Sequence, residues 1–209
     1  MGTHLETPTV FGGAGGNIEA VAAAQLVLAT RVIDAPPVLR ARDDDGTAMS
    51  ATVGIPRLLA HEAQFGTIPT GSAVLLRTGE GERSSIELAR SGTQASADVT
   101  HAGWSAEAIR FLANERGVRL VGTDALIVDA ADAAKEAPAA RAAAESGLLT
   151  LQTLANLGAL PRHGAVLVIG VLPVTGARAA PARVLALVPP ERGDDRPSPG
   201  LSKSEPTTP

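Results

Sequence analysis

No cysteine occurs among the 209 residues, which excludes disulfides, thiolate nucleophiles and cysteine-ligated zinc. Aromatic side chains are almost as scarce. Phe11, Phe65, Trp104 and Phe111 are all there are, and tyrosine is absent. That is too few for a base-stacking platform or an aromatic carbohydrate groove. Lysine occurs twice against sixteen arginines; with the abundant Ala, Gly and Pro, this is the bias a GC-rich bacterial genome produces. No apolar run approaches the roughly 18 residues of a membrane span. No basic segment followed by an apolar one marks a secretion signal. The net charge of −4 argues against nucleic-acid binding driven by backbone electrostatics. What is present is 44% hydrophobic residues, enough for one domain with a real core. The composition predicts a soluble, acidic, cytoplasmic α/β domain.

The pattern along the chain alternates strands and helices. Asn17, after the run Gly12–Gly16, is placed to cap a short helix through Ala24. Leu26–Ile33 reads as a strand stopped by Pro36-Pro37, and Pro56 opens a helix closed by Gly66. Ser72–Thr78 is a buried-strand signal, and polar residues from Gly79 to Thr100 predict a long loop. Ser105 caps the clearest helix, in which Ile109, Leu112 and Ala113 share a face and Gly117 ends the run. Val118–Val121 predicts a strand delivering Thr123 and Asp124 to its end. The alanine-dense stretch from Ala130 to Ser146 reads as helix, with Pro138 inside it or at a break. Ala165–Leu172 and Arg183–Val188 are apolar strand runs. From Glu191 onward the chain is polar and Pro-rich and predicts a disordered tail, leaving one domain over residues 1–190. The fold class is α/β.

The most specific chemical signal lies in the first ten residues. Gly2-Thr3-His4-Leu5-Glu6-Thr7-Pro8 sets a histidine and a carboxylate two positions apart. On a strand such side chains share a face, so His4 and Glu6 are candidate ligands of one divalent ion. By spacing alone such a pair is more often solvated surface. Other polar residues have plain readings. His61 beside Glu62, and His163 between Arg162 and Gly164, read as solvated residues, and His101 as a polar loop residue. Asp124 is the best uncommitted acid, because strand ends frame α/β sites, with a turn-capping carboxylate as the plainer role. Asp43-Asp44-Asp45 lacks the spaced ligands of a calcium loop. The Gly12–Gly16 run lacks the Lys-Ser/Thr of a phosphate loop.

The flanking words carry a resemblance. Gly-Thr-His-x-(Asp/Glu)-x-Pro resembles the signature of the cyclase family of kynurenine formamidase- and isatin hydrolase-like metal-dependent hydrolases. Four further segments resemble the family in order: Val74-Leu75-Leu76-Arg77-Thr78-Gly79, His101–Asp129, Leu154-Ala155-Asn156-Leu157 with Leu160-Pro161, and Pro181-Ala182-Arg183-Val184. The resemblance implies a single swivelling β/β/α-type domain, a divalent metal (zinc or manganese) and hydrolysis of a C–N bond in a small amide or lactam, as in an arylformamidase. It also implies a homodimer or higher homo-oligomer acting on a small molecule.

Carried over position by position, the resemblance retains His4 and turns the family's aspartate into Glu6. The longer stem displaces the carboxylate by about 1.5 Å, where metal distances tolerate about 0.2 Å. The last motif histidine falls on Val10, the distal glutamate on Gln152 and the distal histidine near Ala140. The first motif histidine would precede Met1, so an N-terminal part of the family domain is expected upstream. Two expectations follow. One is a cyclase-family hydrolase with weakened or lost activity, holding metal through His4 and Glu6. The other is a metal-free descendant that binds or cyclises a small molecule, or serves as an inactive oligomer partner.

Overall fold

The computed structural model describes residues 2–35, 51–82 and 101–190. The Asp43–Asp45 run, most of the Gly79–Thr100 segment and the tail from Glu191 lie outside the described residues. Nine strands are described: β1 (His4–Glu6), β2 (Val27–Asp34), β3 (Thr52–Val53), β4 (Ala73–Arg77), β5 (Gly103–Trp104), β6 (Leu120–Thr123), β7 (Leu149–Gln152), β8 (His163–Val171) and β9 (Ala179–Leu187). Three α-helices accompany them: α1 (Ile55–Phe65), α2 (Ala106–Asn114) and α3 (Pro138–Glu145). Seven strands close a barrel in the order β1-β7-β6-β4-β2-β8-β9, and β3 pairs with β5 as a separate parallel ribbon. The α/β class expected from the alternation is the one observed.

The barrel is parallel where helices connect its strands and antiparallel where they do not. β2, β4, β6 and β7 run parallel to their neighbours within this set, whereas β1 is antiparallel to both β7 and β9. β8 is antiparallel to β2 and β9. Parallel pairing needs long crossovers, which the helices supply. Side chains alternate across the sheet and build two cores. Leu5, Leu28, Leu75, Leu151 and Leu167 fill the barrel. Ile33, Val74, Leu76 and Val121 point the other way, against Leu58 of α1, Ile109 and Leu112 of α2 and the alanines of α3.

Local signals explain most element boundaries. Pro56 occupies the first turn of α1, and Gly66 follows its end at φ 81°. Ser105 Oγ accepts from the Ala108 N–H, and Gly117 takes φ 62° just beyond α2. Gly103 is required by close approach: a Cβ there would lie 2.0 Å from the Ala130 nitrogen.

Two expectations need correction, and a third resolves at its break. Asn17 does not cap a helix to Ala24. Its Oδ1 accepts from Thr9 Oγ1 at 2.9 Å, and the segment breaks into short 3-10 turns at Ile18–Ala20 and Ala23–Gln25. The alanine-rich stretch divides at Pro138, one of the two arrangements expected of it. Ala137 sits at φ 49°, so α3 starts afresh at Pro138, with Ala139 and Ala140 N–H groups capped by Asp129. The predicted polar loop begins with a helical turn at Glu80. Among the described residues no helix is long and apolar enough to cross a membrane.

Candidate functional site

Leu5 and Leu151 face each other inside the barrel, so their neighbours must face out. The register pairs His4 with Gln152 and Glu6 with Thr150, bringing four polar side chains together on the outer face of β1 and β7. His4, Thr150 and Gln152 are buried. The His4 imidazole Nδ1 lies 3.0 Å from the Gly2 carbonyl, and its Nε2 faces Glu6 Oε1 at 3.5 Å. The other carboxylate oxygen, Oε2, accepts from Gln152 Nε2 at 2.7 Å and from Thr150 Oγ1 at 3.3 Å. Hydrogen bonding to Glu6 raises the His4 pKa above its ordinary value, against the opposing pull of burial.

The backbone after Gln152 is unusual. Thr153, a β-branched residue, adopts φ 56°. It is pinned there by Thr3 Oγ1, which donates to the Thr153 carbonyl at 2.7 Å, and by the Thr153 N–H, which donates to Ala125 O. One tie fixes Gln152 relative to the strand that carries His4, and the other to the segment after β6.

The positions carried over from the family pattern fall around this cluster. Val10 lies in the 3-10 turn Pro8–Phe11. That turn packs against α3, whose first turn holds the buried Ala140. Alkyl groups thus stand where the resemblance puts histidines. Among the described residues no group of three His, Cys, Asp or Glu side chains converges as a metal site. The donor chemistry present nonetheless fits a divalent ion. An Nδ1–H donated to a carbonyl leaves Nε2 with its lone pair toward Glu6, the arrangement that orients a ligating histidine. Turned about its terminal bond, the Gln152 carboxamide would present Oε1 in place of Nε2. An imidazole nitrogen and a carboxylate oxygen are donor types that divalent first-row metals accept.

The remaining candidates resolve into structural roles or corrections. Asp124 caps a turn: Oδ1 accepts from the Thr78 N–H at 2.7 Å and its hydroxyl at 2.8 Å, and Oδ2 from the Gly79 N–H at 2.8 Å. His61 is not solvated. It is buried on the inner side of α1, where desolvation, Arg31 and His163 lower its pKa. Helical periodicity carried the signal, since Leu58 and His61 are three apart. His101 is buried too, beside the Ala102 carbonyl. His163 is exposed as expected, at the start of β8. Residue-by-residue reading missed an ion cluster at the end of β2: Asp34 is held by Arg77 through Oδ1 and by Arg162 through Oδ2.

A family model described as a putative cyclase matches residues 1–130, and the chain belongs to the cyclase family. Its relatives include isatin hydrolases. The isatin hydrolase of Roseibium aggregatum is 34% identical over 137 residues, 62% of this chain and 50% of that protein. The chain thus spans about half the length of the curated relative it matches. Isatin hydrolase A from Labrenzia aggregata, solved bound to benzyl benzoate, superposes with a TM-score of 0.72 at 30% identity, covering 90% of this chain and 72% of that one. Isatin hydrolase A from Ralstonia solanacearum gives 0.72 at 28% identity with the same coverage. A potential metal-dependent hydrolase with cyclase activity, 23% identical with a TM-score of 0.63, shares the fold.

Proposed function

We propose that this chain is an isatin hydrolase-like amide or lactam hydrolase of the cyclase family, with weak metal binding and reduced turnover. The observation that carries the reading is the His4–Glu6–Gln152 cluster on β1 and β7, in a chain 34% identical to an isatin hydrolase. His4 and Glu6 would hold a divalent ion, manganese or zinc, with Gln152 beside them. When bound, such an ion polarises a carbonyl oxygen and lowers the pKa of water. The chain's own residues supply the rest. The Gly2 carbonyl fixes the His4 ring, and Gln152 holds one Glu6 oxygen so that the other faces His4. Val10 offers no proton acceptor or donor where the family resemblance places a histidine, a role worth about 10²- to 10⁴-fold in rate.

Water would open the lactam of isatin to a carboxylate and would cleave the formamide of N-formylkynurenine to formate and an amine, so these two compounds are the substrates to try. The experiment measures metal content by elemental analysis and hydrolysis of both compounds, before and after chelation. Slow, manganese-dependent turnover abolished by chelator and by Glu6→Ala supports the reading. A folded protein that stays metal-free in excess manganese and hydrolyses neither compound overturns it. That outcome favours the metal-free descendant, for which the direct Gln152–Glu6 hydrogen bond is the supporting observation.

A homodimer or higher homo-oligomer is part of the same proposal. The outer face of β8, β9 and the start of β2, which carries no helix among the described residues, collects Val27, Leu185 and Leu187, with Leu172 and Val174 at the hairpin end, all exposed. Contiguous apolar surface of this kind marks an interface.

A further inference from the structure

A second polar cleft lies away from the β1–β7 cluster, against α1 at the end of β2, with β6 and β4 standing between β7 and β2 in the barrel. It encloses about 370 Å³, and its walls include Asp34, Arg57, His61, Phe65 and Arg162. We propose that this cleft binds a small organic carboxylate with a flat apolar body.

The charge balance argues for an anion. Asp34 is the one carboxylate among the lining residues, and both its oxygens are taken, by Arg77 and Arg162. Among the described residues Arg57 therefore has no acid. Its Nε donates at 3.0 Å to the neutral backbone carbonyl of Asp34, which leaves the outer edge of an exposed guanidinium toward the cleft. Glu62, next to His61, is committed elsewhere: Arg116 grips it at 2.8 and 3.0 Å. Among the described residues two guanidiniums, Arg57 and Arg162, thus line the cleft with one carboxylate that Arg77 holds as well, an excess of positive charge in a partly enclosed space. Such a site focuses field on an incoming anion, and a guanidinium's planar fork matches a carboxylate.

The walls argue for a flat apolar body on that anion. Phe65 packs between His61 and His163, with centroid separations of 4.8 and 5.4 Å, and Ile33 and Ala60 extend the apolar surface. His61 Nε2 is buried without a hydrogen-bond partner. Ligand sites set a few polar groups among apolar walls, and here Arg57, Arg162 and His61 stand among Ile33, Ala60 and Phe65.

The test uses the full chain, with benzoate as probe and benzamide as its neutral isostere. Ring-proton NMR follows the four histidines separately. Benzoate is expected to shift the His61 resonances saturably, with Kd on the order of 1 mM, and Arg57→Gln to weaken it about tenfold. Arg57 is exposed on the first turn of α1, so the variant should keep the wild-type melting temperature. The proposal is overturned by no saturable shift at about 20 mM benzoate, by shifts confined to His4, or by equal binding of benzamide. Unchanged affinity in Arg57→Gln also overturns it. So does inorganic phosphate binding as tightly as benzoate, because the apolar wall would then contribute nothing.

Discussion

Gln152 Nε2 donates to Glu6 Oε2 at 2.7 Å, joining the middle of the chain to its sixth residue across the β1–β7 pair. A carboxylate in place of this amide would set two negative charges at that separation on a largely buried face. Like charges so placed demand a cation or a proton.

Gln152→Glu is therefore expected to lower the melting temperature of chelator-treated protein at pH 7. It should also raise the increment gained on adding manganese above that of wild type, because ligands that bind only the folded state stabilise it by mass action. Thermal unfolding with and without metal measures both. An unchanged manganese increment would show that residue 152 does not face the ion.

The His4–Glu6 contact makes a pH prediction for metal-free protein. Glu6 raises the folded-state His4 pKa above 6.5. The stabilisation is fully present below the unfolded value and is lost as pH rises through the folded one. Wild type should exceed Glu6→Gln in stability by more at pH 6 than at pH 8.5, as read from urea unfolding at the two pH values. Metal binding should show the opposite trend and tighten with pH, since the ion competes with the His4 proton.

Asp124→Ala removes the acceptor of two backbone N–H groups and one hydroxyl. It is expected to cost about 3 kcal/mol in urea unfolding, with the manganese content of the surviving folded protein unchanged. A loss of metal without a loss of stability would make Asp124 a ligand instead of a turn cap.

The apolar outer face of β8 and β9 predicts association. Leu185→Lys with Leu187→Lys should leave the fold intact, since both side chains are more than half exposed, and shift the protein toward monomer in light scattering. A wild-type monomer at high concentration would remove the basis for a homo-oligomer.

Much of the fold was legible because short-range signals dictate it. Pro56 and Gly66 bracket α1, Ser105 and Gly117 bracket α2, and the Val/Leu run of β4 could only be a buried strand. β7 was not legible. Leu149–Gln152 is four residues long, buried throughout, and follows an alanine-rich helix, so no alternation marks it. The pairing of His4 and Glu6 on one face needed only the twofold period of a strand. That Gln152 stands beside them depends on antiparallel register across some 146 residues, which no local pattern encodes. Burial of His61 and the gathering of Arg77 and Arg162 around Asp34 are likewise tertiary. Composition and periodicity determine which residues can form an element. The closing of the barrel decides which elements become neighbours, and so which charges meet.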